Sequence, residues 1–217
     1  MRFEKLGIII FVTIMFCLPQ LIIAQDKDGM QMEGGHGQMM SHPEAMDDNM
    51  KVHHDHIKTM ERVFRYERNF AEKADEIRVG YLYKVGDADS EKDKDAMVMM
   101  AKTMVEQGLA GKSISFDPVG VETDADFNSQ LAEKKVNVIY IGSGLTADEL
   151  VVAQKYSIKE NILTIGSTSD VAEQGIAAVG IVVNHGKMDL IINMVTAQET
   201  GADFDPRLYR LADKVIK

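Results

Sequence analysis

The chain has 217 residues, a formal net charge of −10 and one cysteine. That length suits a single domain with a sizeable core. The acidic balance disfavours nucleic acid and anionic membrane surfaces as partners, because both carry negative charge themselves.

Arg2 and Lys5 precede an uncharged apolar run from Leu6 to Leu18, which Pro19 and Gln20 break before Leu21-Ile22-Ile23-Ala24. This order is that of a secretory signal peptide over residues 1–24, with cleavage expected after the small Ala24. A retained anchor is the rival reading, since Leu6 to Ala24 nearly suffices to span a bilayer. Pro19, Gln20 and Ala24 favour cleavage, and Phe16 is too large to precede a lipid-attachment site at Cys17. Cleavage removes Cys17, so residues 25–217 would hold no disulfide, thiolate nucleophile or thiol switch. It also leaves no segment expected to insert in the membrane.

Residues 25–43 are rich in Met, Gly, Gln, Asp and His and lack branched apolar side chains, so they read as a flexible leader. Residues 44–74 read as an amphipathic helix. Met46, Met50, His53, Ile57, Met60 and Phe64 share one face, and Asp47, Lys51, Asp55, Lys58 and Arg62 lie opposite.

Residues 75–217 then alternate strands and helices. Strands are expected at Ile77 to Val85, Ser113 to Val119 (ending near Pro118), Val136 to Ile141 and Asn161 to Ile165. Helices are expected at Ser90 to Gln107, stopped by Gly108, at Asp124 to Lys134, capped by Thr123, at Ala147 to Ser157, capped by Thr146, and at Ser169 to Gln174. Ala177 to Asn184 and Lys187 to Val195 flank His185-Gly186 as a hairpin. Pro206 to Ile216 is the expected final helix, capped by Asp205. Strand–helix alternation with near-continuous apolar strands implies one α/β domain. Its sheet is mainly parallel, covered by helices on both faces, with a C-terminal antiparallel hairpin.

Ligands of such sheets bind beyond the carboxyl ends of the strands. Gly142-Ser143-Gly144 and Gly166-Ser167-Thr168-Ser169 lie there and could offer backbone N–H groups to an anion. Without a phosphate-binding lysine or dinucleotide fingerprint, plain turns explain them better. Outside the N-terminal region the only histidine is His185, at the expected hairpin tip, so Ser143 and Ser167 have no evident base. Nothing in the pattern argues for an enzyme, and a non-enzymatic protein is expected.

Residues 30–60 carry seven methionines and five of the six histidines, His36, His42, His53, His54 and His56. Thioethers suit Cu(I), and imidazoles suit Cu(II), Ni(II) or Zn(II). His53, His54, His56, Met50 and Met60 are the candidate ligands for copper or another transition metal. The plainer reading is a low-complexity leader joined to a helix whose methionine stripe is core.

The C-terminal half carries a more specific pattern. Asn161 to Gly175 (NILTIGSTSDVAEQG) precedes the hairpin, Asn193, Ala197, Gly201 and Arg207-Leu208-Tyr209-Arg210-Leu211-Ala212. This order resembles the YfiR/HmsC-like family of periplasmic proteins. Leu163, Thr164, Gly166, Ala172, Gly175, Asn193, Ala197, Gly201, Arg207, Leu208, Leu211 and Ala212 fall on matching positions. Leu109-Ala110-Gly111-Lys112 and Val138 to Gly142 resemble its upstream segments. Ile176 replaces a family glycine, Asp205-Pro206 replaces two serines, and the family's cysteines are missing. The resemblance implies a periplasmic regulator without enzymatic activity. Such a protein binds the extracytoplasmic sensor part of a membrane diguanylate cyclase and so controls cyclic di-GMP and biofilm formation. Each matched residue also has a structural reading: Gly175 ends a helix, Gly201 makes a turn, Leu208 and Leu211 are core, Arg207 forms a surface ion pair and Asn193 bonds to backbone. A periplasmic metal-binding protein of copper type is the alternative function. A small-molecule binding domain is a third, resting on sheet geometry alone. Association into a homo-oligomer is left open.

Overall fold

Val138–Ile141 (β3) has the sequence VIYI and is buried along its whole length. Side chains alternate between the two faces of a strand. Val138 and Tyr140 therefore enter one apolar core, and Ile139 and Ile141 enter another. A strand apolar on both faces belongs inside a covered sheet, and the computed structural model places β3 there. The structure describes residues 48–70, 75–106, 112–184 and 187–217. The expected signal peptide and leader, Met46, the stop at Gly108, residues 109–111 and the His185-Gly186 turn lie outside the described residues.

In chain order the elements are α1 (Asp48–Tyr66), β1 (Glu76–Lys84), α2 (Ala88–Glu106), β2 (Ser113–Val121), α3 (Asp124–Glu133) and β3. They continue as α4 (Ala147–Glu160), β4 (Leu163–Gly166), α5 (Ser169–Glu173), β5 (Val179–Asn184), β6 (Lys187–Asn193), α6 (Met194–Glu199), α7 (Pro206–Leu211) and β7 (Lys214–Ile216). The strands form one sheet in the order β2-β1-β3-β4-β5-β6-β7. Neighbours are parallel except β5 and β6, which are antiparallel. The expected α/β class, the mainly parallel sheet and the antiparallel C-terminal pair are all present. β1 has β2 on one side and β3 on the other, so the chain reverses its direction of travel across the sheet between β1 and β3.

One face of the sheet is covered by α1 and α2, with Phe204 and Leu208 beside them. The other face packs against Phe127 and Leu131 of α3, Ala153 of α4 and Val171 of α5. On α1, Ile57, Met60 and Phe64 of the expected stripe are buried, Val63, which the stripe did not include, is buried too, and Met50 is half-buried. Full burial of each such side chain contributes about 1.5–3 kcal/mol, so α1 is part of this core. Its C-terminal end is stapled by Glu67. That buried carboxylate accepts bonds from the N–H groups of Phe70 and Asp203 and from Asn69 Nδ2, each at 2.8 Å.

Four local expectations need correction. β2 does not stop near Pro118 but runs on to Val121. Gly120, two residues beyond Pro118, directs its N–H and C=O to the side chain of Gln130, away from β1. Pro118 shares that orientation, so its missing N–H falls on the free edge and costs the ladder no bond. Asn161 is not in a strand. It closes α4 in the left-handed region at φ 54°, which asparagine tolerates better than most residues. The second hairpin strand ends at Asn193, where α6 begins. The final helix ends at Leu211, and Lys214–Ile216 joins the sheet beside β6. Val215 and Ile216 are β-branched and favour that state.

Candidate functional site

The reversal point between β1 and β3 is where sheet geometry opens a crevice, and here it gathers the polar side chains of four elements. Tyr81 of β1 and Tyr140 of β3 stack with ring centroids 5.2 Å apart. Both lie on the face covered by α1 and α2, and burial raises both phenol pKa values. Each phenol is therefore neutral and available as a hydrogen-bond donor. His56 of α1 reaches the Tyr140 hydroxyl through Nδ1 at 2.5 Å. Burial, reinforced by nearby His53, lowers the His56 pKa to about 4, so its ring is neutral at neutral pH.

Beyond the strand ends, the Gly142-Ser143-Gly144 turn is tied to α2. Asp93 accepts a bond from the Ser143 hydroxyl through Oδ2 at 2.7 Å. Ser90 donates its hydroxyl to the Ser143 carbonyl at 2.8 Å and accepts from the Lys84 N–H. A Cβ on Gly142 would come within 2.5 Å of the Leu82 carbonyl oxygen, so only glycine fits this close crossing. The helix that follows opens with a capping box between Thr146 and Glu149. Glu149 also pairs with Lys84. Burial pushes the Glu149 carboxyl up, but bonds from Lys84 and Thr146 outweigh it and hold the group below the usual range. Of this turn's backbone, the Ser143 carbonyl accepts from Ser90 and the Gly142 N–H donates to the Leu82 carbonyl.

His53, on α1, faces Asp93 on α2. Its Nε2 lies 3.9 Å from Asp93 Oδ1. His53 is 6 % exposed, and Nε2 is the one buried side-chain nitrogen or oxygen among the described residues without a hydrogen-bond partner. The series Ser143–Asp93–His53 does not activate a nucleophile, because the serine proton points at a carboxylate rather than at an imidazole.

The candidate metal ligands are divided. His53 and His56 share the buried face of α1, His54 bonds Asp55 on a half-exposed flank, and Met60 is fully enclosed in the core. Met50 is half-buried at the edge of that core. Asp93 was not singled out in the sequence. It sits in the charged stretch Asp89 to Asp95, where its contacts with His53 and Ser143, both distant in sequence, distinguish it from its neighbours.

The family-matched residues lie mostly elsewhere and are bonded into the frame. Thr164 Oγ1 accepts the Ala178 N–H at 2.9 Å. Gly166 is forced by Val171, whose Cγ2 would stand 1.8 Å from an added Cβ. The Gly175 carbonyl accepts from Gln154 and Thr196. Asn193 caps α6 through Oδ1 and donates Nδ2 to the Ala172 carbonyl. Gly201, with a φ of +69°, shapes the turn after α6. Leu163 and Leu208 are buried. Leu211 is not core, being 44 % exposed: it is the last residue of a six-residue helix, where the chain turns away toward β7. Arg207 is exposed, makes two bonds to Asp205 and lies over the Tyr66 ring. The Arg207 guanidinium holds the Asp205 carboxyl down at about 2. Leu163 and Gly201 also line a cavity of about 280 Å³ with Glu67, Asn69, Asn137 and Asn161. That cavity is at the opposite end of β3 from Ser143.

The YfiR/HmsC-like family model matches residues 88–213, from the start of α2 to the residue before β7. The chain belongs to the YfiR/HmsC-like family. Membership supports a regulatory role in the periplasm in general, in a family of regulators rather than enzymes. The match takes in Asp93, Tyr140 and Ser143 but not α1, so His53 and His56 lie outside it. No curated protein matches this YfiR/HmsC-like chain. Among solved structures it is similar to an ABC domain in complex with L-Trp from Streptococcus pneumonia, with 13 % identity, a TM-score of 0.53 and coverage of 72 % of this chain and 61 % of that one. It is also similar to a ligand-free, open substrate-binding protein with adhesive properties from Clostridium difficile, at 16 % identity and a TM-score of 0.51, covering 69 % and 57 %. The chain therefore spans about three-fifths of the length of those proteins. Identities this low show a shared fold alone. No helix among the described residues is long and apolar enough to cross a membrane.

Proposed function

We propose that this chain is a non-enzymatic periplasmic regulator that binds the extracytoplasmic part of a membrane signalling protein, a diguanylate cyclase, and holds it inactive. The carrying observation is the family match over residues 88–213. The net charge of −10 fits a protein partner rather than nucleic acid. Export with cleavage after Ala24 is part of the reading, and N-terminal sequencing of the chain from the envelope fraction tests it. Affinity capture with residues 25–217 as bait should recover an inner-membrane protein with a sensor domain outside the cytoplasm. Deletion of the gene should raise cyclic di-GMP. Unchanged cyclic di-GMP together with no such partner would refute the proposal.

A second reading, copper handling by the Met/His-rich region, rests on the seven methionines and five histidines of residues 30–60. Its test compares Cu(I) binding by residues 25–217 and by the same chain with His36, His42 and His54 replaced by Gln and Met39, Met40 and Met50 by Leu, which removes leader donors and the less buried candidate ligands together. A start at Arg78 would remove α1 from the core and confuse binding with unfolding. Equal, weak binding by the two chains would refute this reading.

A further inference from the structure

We propose that His53 Nε2 and Asp93 Oδ1 form an interhelical site for a divalent transition-metal ion of the zinc or copper(II) type, with water in the remaining positions. His53 is also a candidate ligand of the second reading, but this site needs no residue of the leader and draws one donor from each of α1 and α2. It does not depend on the identity of the protein partner, and its test needs none.

Three observations converge on this pair. The first is the unpartnered nitrogen. A buried imidazole nitrogen left without a bond is costly, and His53 Nε2 has none although the ring is 6 % exposed. The second is what it faces. Asp93 Oδ1 lies 3.9 Å away, too far for a hydrogen bond. Bonds of about 2.0–2.2 Å from zinc to nitrogen and oxygen put two donors about 3.4 Å apart at the tetrahedral angle and about 4 Å apart as that angle opens. A small side-chain rotation therefore seats an ion between them. The third is the support behind Asp93. Ser143 donates to Oδ2 at 2.7 Å and fixes the carboxylate with Oδ1 turned toward His53. Ser143 is itself held by Ser90 through its carbonyl. Outer partners of this kind orient ligands in metal sites.

The plain alternative is an ion pair between a protonated His53 and Asp93. Burial opposes it by lowering the His53 pKa, and Asp93 offsets this only in part. A neutral imidazole can present the Nε2 lone pair, which a carboxylate repels and a cation attracts. An imidazole and a carboxylate match zinc and copper(II) better than Cu(I), which prefers sulfur. Among the described residues no three His, Cys, Asp or Glu side chains come together around an ion. The site thus has two protein donors, and the Asp93 side chain, about a third exposed, leaves its solvent side for water. An ion here would tie α1 to α2 over the carboxyl ends of β1 and β3.

The test titrates zinc and copper(II) salts, against a chromophoric chelator, into residues 25–217 and into four variants with the leader unchanged. His53→Gln and Asp93→Asn should each weaken the site by roughly tenfold or more, Ser143→Ala by about tenfold, and His54→Gln should leave it as it was. A second measurement needs no variant. With isotope-labelled imidazoles, zinc should move the nitrogen resonance of His53 Nε2 and leave His54 in place. Zinc binding that is equal in the parent, His53→Gln and Asp93→Asn proteins overturns the proposal, as does a His53 Nε2 resonance that zinc does not move. Neither result bears on whether a signalling partner is captured.

Discussion

Two polar regions of this molecule look alike in sequence and differ in structure. Around Thr164, Gly175 and Asn193, each polar side chain is committed to a backbone group. Around His53, Asp93 and Ser143, the network stops one bond short, with a buried nitrogen facing a carboxylate across 3.9 Å. The first pattern is how a fold satisfies its own buried groups. The second leaves a buried group exposed to any cation that can reach it. Family-matched residues are concentrated in the first region, so the part that makes this chain recognisable is chiefly its frame.

The largest expected effect tests whether α1 is frame or accessory. Met60 is fully buried between α1 and the sheet. Met60→Ala should lower stability by about 2–5 kcal/mol, read as the urea midpoint at constant slope. A change below about 0.5 kcal/mol would mean that α1 adds little to the core and that the His53–Asp93 contact is not held in place by packing.

Next in size is a pH effect at the same helix. His56 has a folded pKa near 4, against 6.5 unfolded. Its contribution is fully present above pH 6.5. As pH falls from 6.5 toward 4, the unfolded chain takes up a proton that the folded chain refuses, so stability is lost over that window. The loss is on the order of 3 kcal/mol, and His53 adds to it in the same direction. Denaturation in the presence of a chelator at pH 7, 6, 5 and 4 measures it. His56→Gln should flatten the slope, and an unchanged slope would sink the assignment to this ring.

Asn193→Ala probes the committed region. It removes the cap of α6 and leaves the buried Ala172 carbonyl without its side-chain donor. The expected loss is about 2 kcal/mol, from a cap of about 1 and an unmade buried bond of similar size. Metal affinity should not change in this variant. A shift in zinc binding would erase the distinction between the two regions.

How much of this could be read from the chain follows from the range of the forces involved. Val138 to Ile141, the Thr123 and Thr146 caps and the apolar stripe of α1 are local signals, and the structure repeats them. Features set by contact were not legible. β7 forms because Val215 finds Ile192, although the preceding turn of helix gave no reason to stop. Leu211, read as core among the family-matched residues, is exposed because the helix ends on it. At the site, His53 stood out by residue type, while Asp93 was one acid among many. Their pairing spans forty residues of sequence and two helices, so periodicity could not reveal it. Glu67 was hidden for the same reason, since its partner Asp203 is far along the chain.

The smallest expected effect is also the most discriminating. A histidine kept for the fold would be missed when removed, as Asn193 should be. His53 Nε2 contributes no bond, so replacing the ring by an apolar side chain takes away an unsatisfied group at little cost in packing. His53→Leu should therefore leave stability within about 1 kcal/mol of the parent, with the sign toward stabilisation, while abolishing the zinc response. Urea denaturation without metal, run beside the zinc titration, reads both quantities on the same two proteins. A loss of 2 kcal/mol or more would place His53 with the frame residues and make its unpaired nitrogen a by-product of packing. Unchanged stability with lost metal binding would mark His53 as a residue held ready for a ligand, on a face of the molecule that the family pattern does not cover.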